Sequence, residues 1–119
     1  ASGAAAGAVL VGGAGADTMT GGSGRDVLIG GIGIDRLTGT GDEDILIGSS
    51  TIYDGNLDAL RAIRAEWART DVNAATRKAH LNGTLPGGLN GLIVLNGTSV
   101  IDDGATDIFT SDSSDWIFQ

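Results

Sequence analysis

The chain has 119 residues, a length suited to one domain, and 21 of them are Gly, far above the usual ~7 %. Seven basic residues against 15 acidic ones give a net charge of −8, which argues against nucleic-acid phosphates and anionic lipid as partners and leaves cations as the natural electrostatic partner. With no Cys, a disulfide scaffold and a thiolate zinc site are excluded, and no apolar run approaches the ~18 residues of a membrane span.

The charge is unevenly spread. Residues 1–55 carry a net −5, residues 56–91 a net +2 and residues 92–119 a net −5. Two acidic, Gly-rich portions therefore flank a basic middle segment. The first eleven residues lack the basic n-region of a signal peptide, and a start inside a repeat suggests a fragment of a longer chain.

A nine-residue repeat organises the first portion. The blocks read GAAAGAVLV from Gly3, GGAGADTMT from Gly12, GGSGRDVLI from Gly21, GGIGIDRLT from Gly30 and GTGDEDILI from Gly39. The eighth position holds Leu10, Met19, Leu28, Leu37 and Leu46. The sixth holds Asp17, Asp26, Asp35 and Asp44, with Ala8 in the first block. A bulky residue every nine positions is neither a helical period nor one long alternating strand. Each block reads as a six-residue turn and a three-residue strand whose middle residue points inward. Two blocks make one coil, and successive coils stack at the ~4.8 Å strand spacing. Asp17 and Asp35 then share one edge, and Asp26 and Asp44 the other.

Like charges ~5 Å apart cost roughly 1–3 kcal/mol at an effective dielectric of 20–80, and a cation between them turns that repulsion into attraction. Turn carbonyls add hard oxygen donors. An all-oxygen site without His or Cys suits Ca²⁺ better than Zn²⁺ or Cu²⁺, and Mg²⁺ less well because it keeps its waters. The inward column is thin for the length of chain to be ordered. Residues 1–54 are therefore expected to be largely disordered without the ion.

These blocks, GGxGxDxUx over about Gly12–Ile47, resemble the RTX or haemolysin-type calcium-binding nonapeptide repeat. The resemblance implies a mainly β fold, a parallel β-roll (solenoid), in a bacterial secreted or cell-surface protein that binds Ca²⁺. It implies that one turn gives the ion the carbonyls of its first and third positions and its Asp. The next turn on that edge gives the carbonyls of its second and fourth positions and its Asp. One site is then Gly12, Ala14 and Asp17 with Gly31, Gly33 and Asp35. A second is Gly21, Ser23 and Asp26 with Thr40, Asp42 and Asp44. A partial third uses Gly30, Ile32 and Asp35 with the Gly48–Asp54 turn, where Tyr53 takes the sixth position and Asp54 follows. A partial fourth lies toward Gly3–Ala8 and lacks one carboxylate.

The middle segment, residues 55–85, reads as a two-helix insert. Leu57, Leu60, Ile63 and Trp67 fall on one helical face, with Asp54 or Asn56 as N-cap. A second helix follows Asp71, with Val72, Ala75 and Ala79 inward, and ends near Asn82-Gly83. This pair is expected to cap the roll or cover one of its faces. His80 is the only histidine, and neither Glu66 nor Asp58 shows an acid–base partner.

Residues 86–119 read as a worn continuation of the roll. Leu92–Leu95 and Ser99–Ile101 are predicted strands. DDGATDIFT then places Asp107 at position six and Phe109 at eight, and SDSSDWIFQ places Phe118 at eight with Asp115 at five. Asp103, Asp107, Asp112 and Asp115 are candidate ligands for another Ca²⁺. Asp115-Trp116-Ile117-Phe118 is similar to the C-terminal signal of type I secretion substrates, so the resemblance implies the type I secretion machinery as a partner.

The whole of 1–119 is expected to form one folding unit. It would be the C-terminal calcium-binding module of a larger secreted protein, folding on Ca²⁺ outside the cell as a folding and capping element. No H-E-x-x-H or G-x-S-x-G motif is present, so no enzyme activity is expected. The alternative is an adhesive or ligand-binding surface module using a flat sheet face. Composition does not fix an oligomeric state.

Overall fold

Three-residue strands recur at nine-residue spacing because Gly-rich turns stop each one. They are β1 (Val9–Val11), β2 (Thr18–Thr20), β3 (Val27–Ile29), β4 (Arg36–Thr38) and β5 (Ile45–Ile47). The computed structural model describes residues 9–21, 24–39, 43–69, 71–96, 99–101, 104, 107–110 and 115–118. Within them lie four further strands, β6 (Ser50–Thr51), β7 (Val100–Ile101), β8 (Ile108–Thr110) and β9 (Trp116–Phe118). Two helices, α1 (Leu57–Trp67) and α2 (Ala74–Asn82), fall between β6 and β7.

Alternate strands enter alternate parallel sheets. One sheet has the order β1-β3-β5-β9 and the other β2-β4-β8. Leu10 pairs with Leu28 and Leu28 with Leu46, while Met19 pairs with Leu37 and Leu37 with Phe109. Met19, Leu28, Leu37 and Leu46 form one buried cluster, with Leu10 and Phe109 packed against it. The middle residues of the strands thus point at one another, as strand alternation requires. The result is a mixed α/β fold of parallel sheet segments and two helices.

The two sheets differ in their outward residues. Val27, Ile29, Ile45 and Ile47 are fully buried against Leu60, Ile63, Trp67, Leu81 and Leu95. In the second sheet Thr18, Thr20, Arg36 and Thr110 are exposed. The helices lie against the sheet whose strands are apolar throughout, where burial yields most.

β8 takes the place beside β4, and β9 the place beside β5. The helical segment is therefore spliced between β5 and β8 without interrupting either stack. Its ends are drawn together by β6 and β7, which pair antiparallel, Ser50 with Ile101 and Thr51 with Val100.

Several expectations need correction. Leu92–Leu95 forms no strand: Leu92 is 96 % exposed, while Leu95 is buried and its N–H donates to the Leu81 carbonyl at 2.6 Å. Of Ser99–Ile101, only Val100–Ile101 is strand. In the last block Ile117, not Phe118, stands opposite Leu46. That block is one residue short, so Asp115 keeps the aspartate slot and Trp116 and Phe118 turn outward onto the helix-covered face.

Asn56 caps α1, its side chain accepting from the Ala59 N–H at 3.1 Å. The buried face is Ala59, Leu60, Ile63, Glu66 and Trp67. Leu57 is 59 % exposed, because at ~100° per residue it stands roughly 120° from the centre of that arc. α2 is capped by Asn73 and ends at Gly83, whose φ of 85° is the left-handed conformation that Gly adopts without strain. Its buried residues are Arg77, His80 and Leu81. Ala75 is exposed on the far side, Val72 and Ala79 are only half-buried, and the inward positions go to basic side chains with carboxylate partners.

Candidate metal centre

Each edge of the stacked turns carries a ladder of aspartates. On one edge the Asp17 N–H donates to Oδ1 of Asp35 at 2.8 Å, and the Asp35 N–H donates to Oδ1 of Asp107 at 2.8 Å. On the other, the Asp26 N–H donates to Oδ1 of Asp44 at 2.7 Å and the Asp44 N–H to Oδ1 of Asp115 at 2.8 Å. The aspartate carbonyls continue into the sheets. That of Asp17 accepts from Arg36, that of Asp26 from Ile45, that of Asp35 from Ile108 and that of Asp44 from Trp116, at 2.7–2.8 Å. Oδ1 of Asp35, Asp44, Asp107 and Asp115 thus each accepts a backbone N–H from the neighbouring turn, a charge-assisted bond that fixes the carboxylate.

The other oxygen, Oδ2, turns back over the first glycine of its own block. A Cβ built on Gly12, Gly21, Gly30 or Gly39 would lie 2.6, 2.8, 2.6 or 3.0 Å from Oδ2 of Asp17, Asp26, Asp35 or Asp44. The cradle exists only because position one has no side chain. All four Oδ2 atoms are buried, and that of Asp17 has no hydrogen-bond partner among the described residues. Asp26, Asp35 and Asp44 are fully buried. Burying ionised carboxylates is costly unless they are compensated.

The turns repeat in conformation as well as in sequence. Gly13 and Gly15 have φ of 84° and 94°, and Gly31 and Gly33 have φ of 89° and 115°. Gly33 nests on Gly15, where an added Cβ would lie 2.6 Å from the Gly15 carbonyl oxygen.

The first predicted set lies wholly within the described residues. Gly12, Ala14 and Asp17 lie on the turn next to that of Gly31, Gly33 and Asp35, joined by the Asp17–Asp35 bond. In the second set, Gly21, Asp26 and Asp44 are brought onto the other edge, while Ser23, Thr40 and Asp42 lie outside the described residues. In the third, Gly30 and Asp35 meet the Gly48 turn, with the Gly31 N–H donating to the Ser49 carbonyl at 3.1 Å, and Ile32 is exposed. Asp54 does not join Asp35. Its Oδ1 accepts from the Thr51 N–H and hydroxyl at 3.0 and 2.6 Å, and Asp107 stands beside Asp35 instead. The Gly3–Ala8 turn, Asp103 and Asp112 lie outside the described residues.

Among the described residues no three His, Cys, Asp or Glu side chains converge on one point. A metal held at these edges would draw on two carboxylates and otherwise on turn carbonyls. That donor set is hard oxygen, which fits Ca²⁺.

A second charged cluster joins the helices to one edge. Glu66 is fully buried, and its Oε2 lies 3.0 Å from Nδ1 of His80. Its Oε1 accepts from the Leu89 N–H at 2.7 Å and from Arg69 at 3.1 Å. Burial pushes the Glu66 carboxyl up, but His80, the Leu89 amide and Arg69 outweigh it and hold it below its ordinary value. Arg69 also holds Asp71 down to about 2. Arg77 donates to Glu43 at 2.6 Å and to the Trp67 carbonyl at 2.9 Å. Sequence reasoning missed the Glu66–His80 and Glu43–Arg77 pairs, since neither spacing, 14 or 34 residues, is a local helical one.

Residues 3–37 and 29–50 match the family model of the RTX calcium-binding nonapeptide repeat (four copies). A repeat region of that family thus covers about residues 3–50. No curated protein and no solved structure matches the chain at a significant level.

Proposed function

We propose that the RTX repeat region and the strands that extend it form a parallel β-roll that folds on Ca²⁺. In this reading the chain is an extracellular folding and capping module of a larger secreted protein, exported by type I secretion. The observation that carries the reading is the Asp17–Asp35 pair. Two carboxylates are stacked one coil apart by a backbone bond, and Oδ2 of Asp17 is buried with no hydrogen-bond donor among the described residues. A bound divalent cation supplies the positive charge that this stack lacks.

Asp17 with Asp35 and Asp26 with Asp44 hold the two principal ions, together with carbonyls of their turns. The same bonding extends to Asp35–Asp107 and Asp44–Asp115, which gives each edge a further candidate position. Low cytosolic Ca²⁺ leaves the chain unfolded for passage through a narrow channel. External Ca²⁺ then orders it, and extracellular modules do this with affinities of only ~10⁻⁴–10⁻³ M. The test is circular dichroism in EGTA with calcium added back, alongside calorimetry. The reading expects β signal to be gained on calcium addition, with a heat of binding that Mg²⁺ does not reproduce. An unchanged spectrum and no heat overturn it.

A second reading is favoured by one observation. Thr20, Thr38 and Thr110 stand in register on the outward side of the second sheet, a column of hydroxyls. This would suit an adhesive or ligand-binding module. Glycan binding that Thr38→Lys abolishes while calcium binding persists would favour it.

A further inference from the structure

The two carboxylate edges are built alike but are not embedded alike. The residue before each aspartate, the fifth of its block, differs between them. On the Asp17–Asp35 edge these residues are Ala16 and Ile34, and Ile34 is 58 % exposed. On the Asp26–Asp44 edge they are Arg25 and Glu43, and both are gripped by the helical insertion. Nη1 of Arg25 donates to the Arg69 carbonyl at 2.6 Å. The Glu43 carbonyl accepts from the Trp67 indole N–H at 3.0 Å. Oε1 of Glu43 accepts from Arg77 at 2.6 Å and lies 3.5 Å from Nε of Arg25.

Arg77 is the centre of this grip. Its side chain is 2 % exposed, its second nitrogen donates to the Trp67 carbonyl at 2.9 Å, and its guanidinium lies 4.6 Å from the Trp67 ring centroid. The planar fork thus ties the end of α1, the middle of α2 and the Glu43 turn into one unit. Glu43 is covalently joined to Asp44. Fixing its carbonyl and its carboxylate therefore fixes the peptide that carries Asp44.

We propose that the insertion is a clamp on one edge: Arg77 is a positioning residue that, through Glu43, pre-organises the Glu43–Asp44 peptide, so that calcium binding at the Asp26–Asp44 edge and docking of α1 and α2 strengthen each other. The proposal rests on the calcium reading above. A turn held in its binding geometry loses less freedom when the ion arrives, and the gain appears as affinity. By linkage, the ion tightens the docking by the same factor. Among the described residues the Asp17–Asp35 edge has no such grip at Ala16 or Ile34, and it binds independently of the insertion.

The test uses the full chain in two backgrounds. Asp35→Asn disables the first edge, since Asp35 belongs to both of its pairs; Asp44→Asn disables the second for the same reason. Arg77→Lys keeps the charge and removes the fork. In the Asp35→Asn background, Arg77→Lys should weaken calcium binding by about tenfold in calorimetry, within the range of ordinary coupled sites. In the Asp44→Asn background it should leave affinity unchanged within about twofold, a difference that a general loss of stability would not produce. Hydrogen exchange supplies the reciprocal readout. Calcium should slow exchange of the α2 amides more in Asp35→Asn than in Asp44→Asn.

Equal weakening in both backgrounds, or no weakening in either, overturns the clamp while leaving the calcium reading intact. Should Arg77→Lys lose its helical signal, Trp67→Phe, which removes the indole donor to Glu43, is put through the same comparison. The parent chain adds a check that needs no Arg77 variant: α2 protection that does not respond to calcium also overturns the clamp. A parent chain that binds no calcium overturns the calcium reading and the clamp together.

Discussion

The amide of Asp35 donates to Oδ1 of Asp107, 72 residues away, at the same 2.8 Å at which the amide of Asp17 donates to Asp35, 18 residues away. The stack therefore recognises position in space and ignores the chain between. Asp107→Ala removes the acceptor and leaves the Asp35 amide without its bond. In saturating calcium it should lower unfolding stability in urea by ~1–3 kcal/mol, whereas Asp107→Asn, which keeps an oxygen, should cost less.

The turn glycines give a paired prediction. Gly13 has a positive φ but open space where a Cβ would go, whereas Gly33 has a positive φ and the Gly15 carbonyl oxygen 2.6 Å from that Cβ. Gly13→Ala should cost only the ~1–2 kcal/mol of a left-handed L-residue. Gly33→Ala adds a backbone clash and should destabilise more, read as a lower urea midpoint in saturating calcium. Equal midpoints would show that the turns do not nest as described.

Acid should release the helices through Glu66. Its folded value lies below its ordinary 4.5, so its ionised form contributes stability that is complete above that value. The contribution is lost as pH falls below 4.5 and through the depressed folded value. Helical ellipticity in saturating calcium, followed from pH 7 down to about 2, should show a loss that Glu66→Gln makes shallower. A loss equally steep in that variant would place the acid sensitivity elsewhere.

Trp116 ties the last strand to the helices. Its ring lies 6.0 Å from that of Trp67 and 4.7 Å from that of Phe118. Trp116→Ala should destabilise by ~2–3 kcal/mol, below the range for a fully buried Trp because this one is half-buried. The near-ultraviolet dichroism of the aromatic cluster should fall with it.

Much of the stack is legible in the sequence because one nine-residue period carries two signals, Asp at six and an apolar residue at eight. Doubling that period gives the pairing of Leu10 with Leu28, of Leu28 with Leu46, and of Asp17 with Asp35. The last strand was misread because counting nine from Phe109 reaches Phe118. The local rule, an apolar residue two after the Asp, reaches Ile117 from Asp115, and this is the one the backbone obeys. The Asp44 amide needs its acceptor, and Trp116 and Phe118 find an apolar face already present. That face was itself written in VLI and ILI against TMT and RLT, a difference between alternate blocks.

The helical segment is legible in the Asn56 cap of α1 and in the Gly83 end of α2, and not in the Asn73 cap or in which side α2 turns inward. An apolar count favours Ala75 and Ala79, but two small methyl groups offer little area. Arg77 and His80 instead meet Glu43 and Glu66, which come from elsewhere in the chain. Such pairings are set by tertiary position, and no local spacing encodes them.

The Ser50–Ile101 pairing means that the segment between β5 and β8 departs and returns through neighbouring points. Loop-closure entropy changes by only ~0.6 kcal/mol per doubling of length when the ends are already fixed together. The segment is thus a natural port: a passenger polypeptide with adjacent termini could be added at the exposed Gly87, the two helices staying to cover Val27, Ile29, Ile45 and Ile47, and the strands on either side would still find their neighbours.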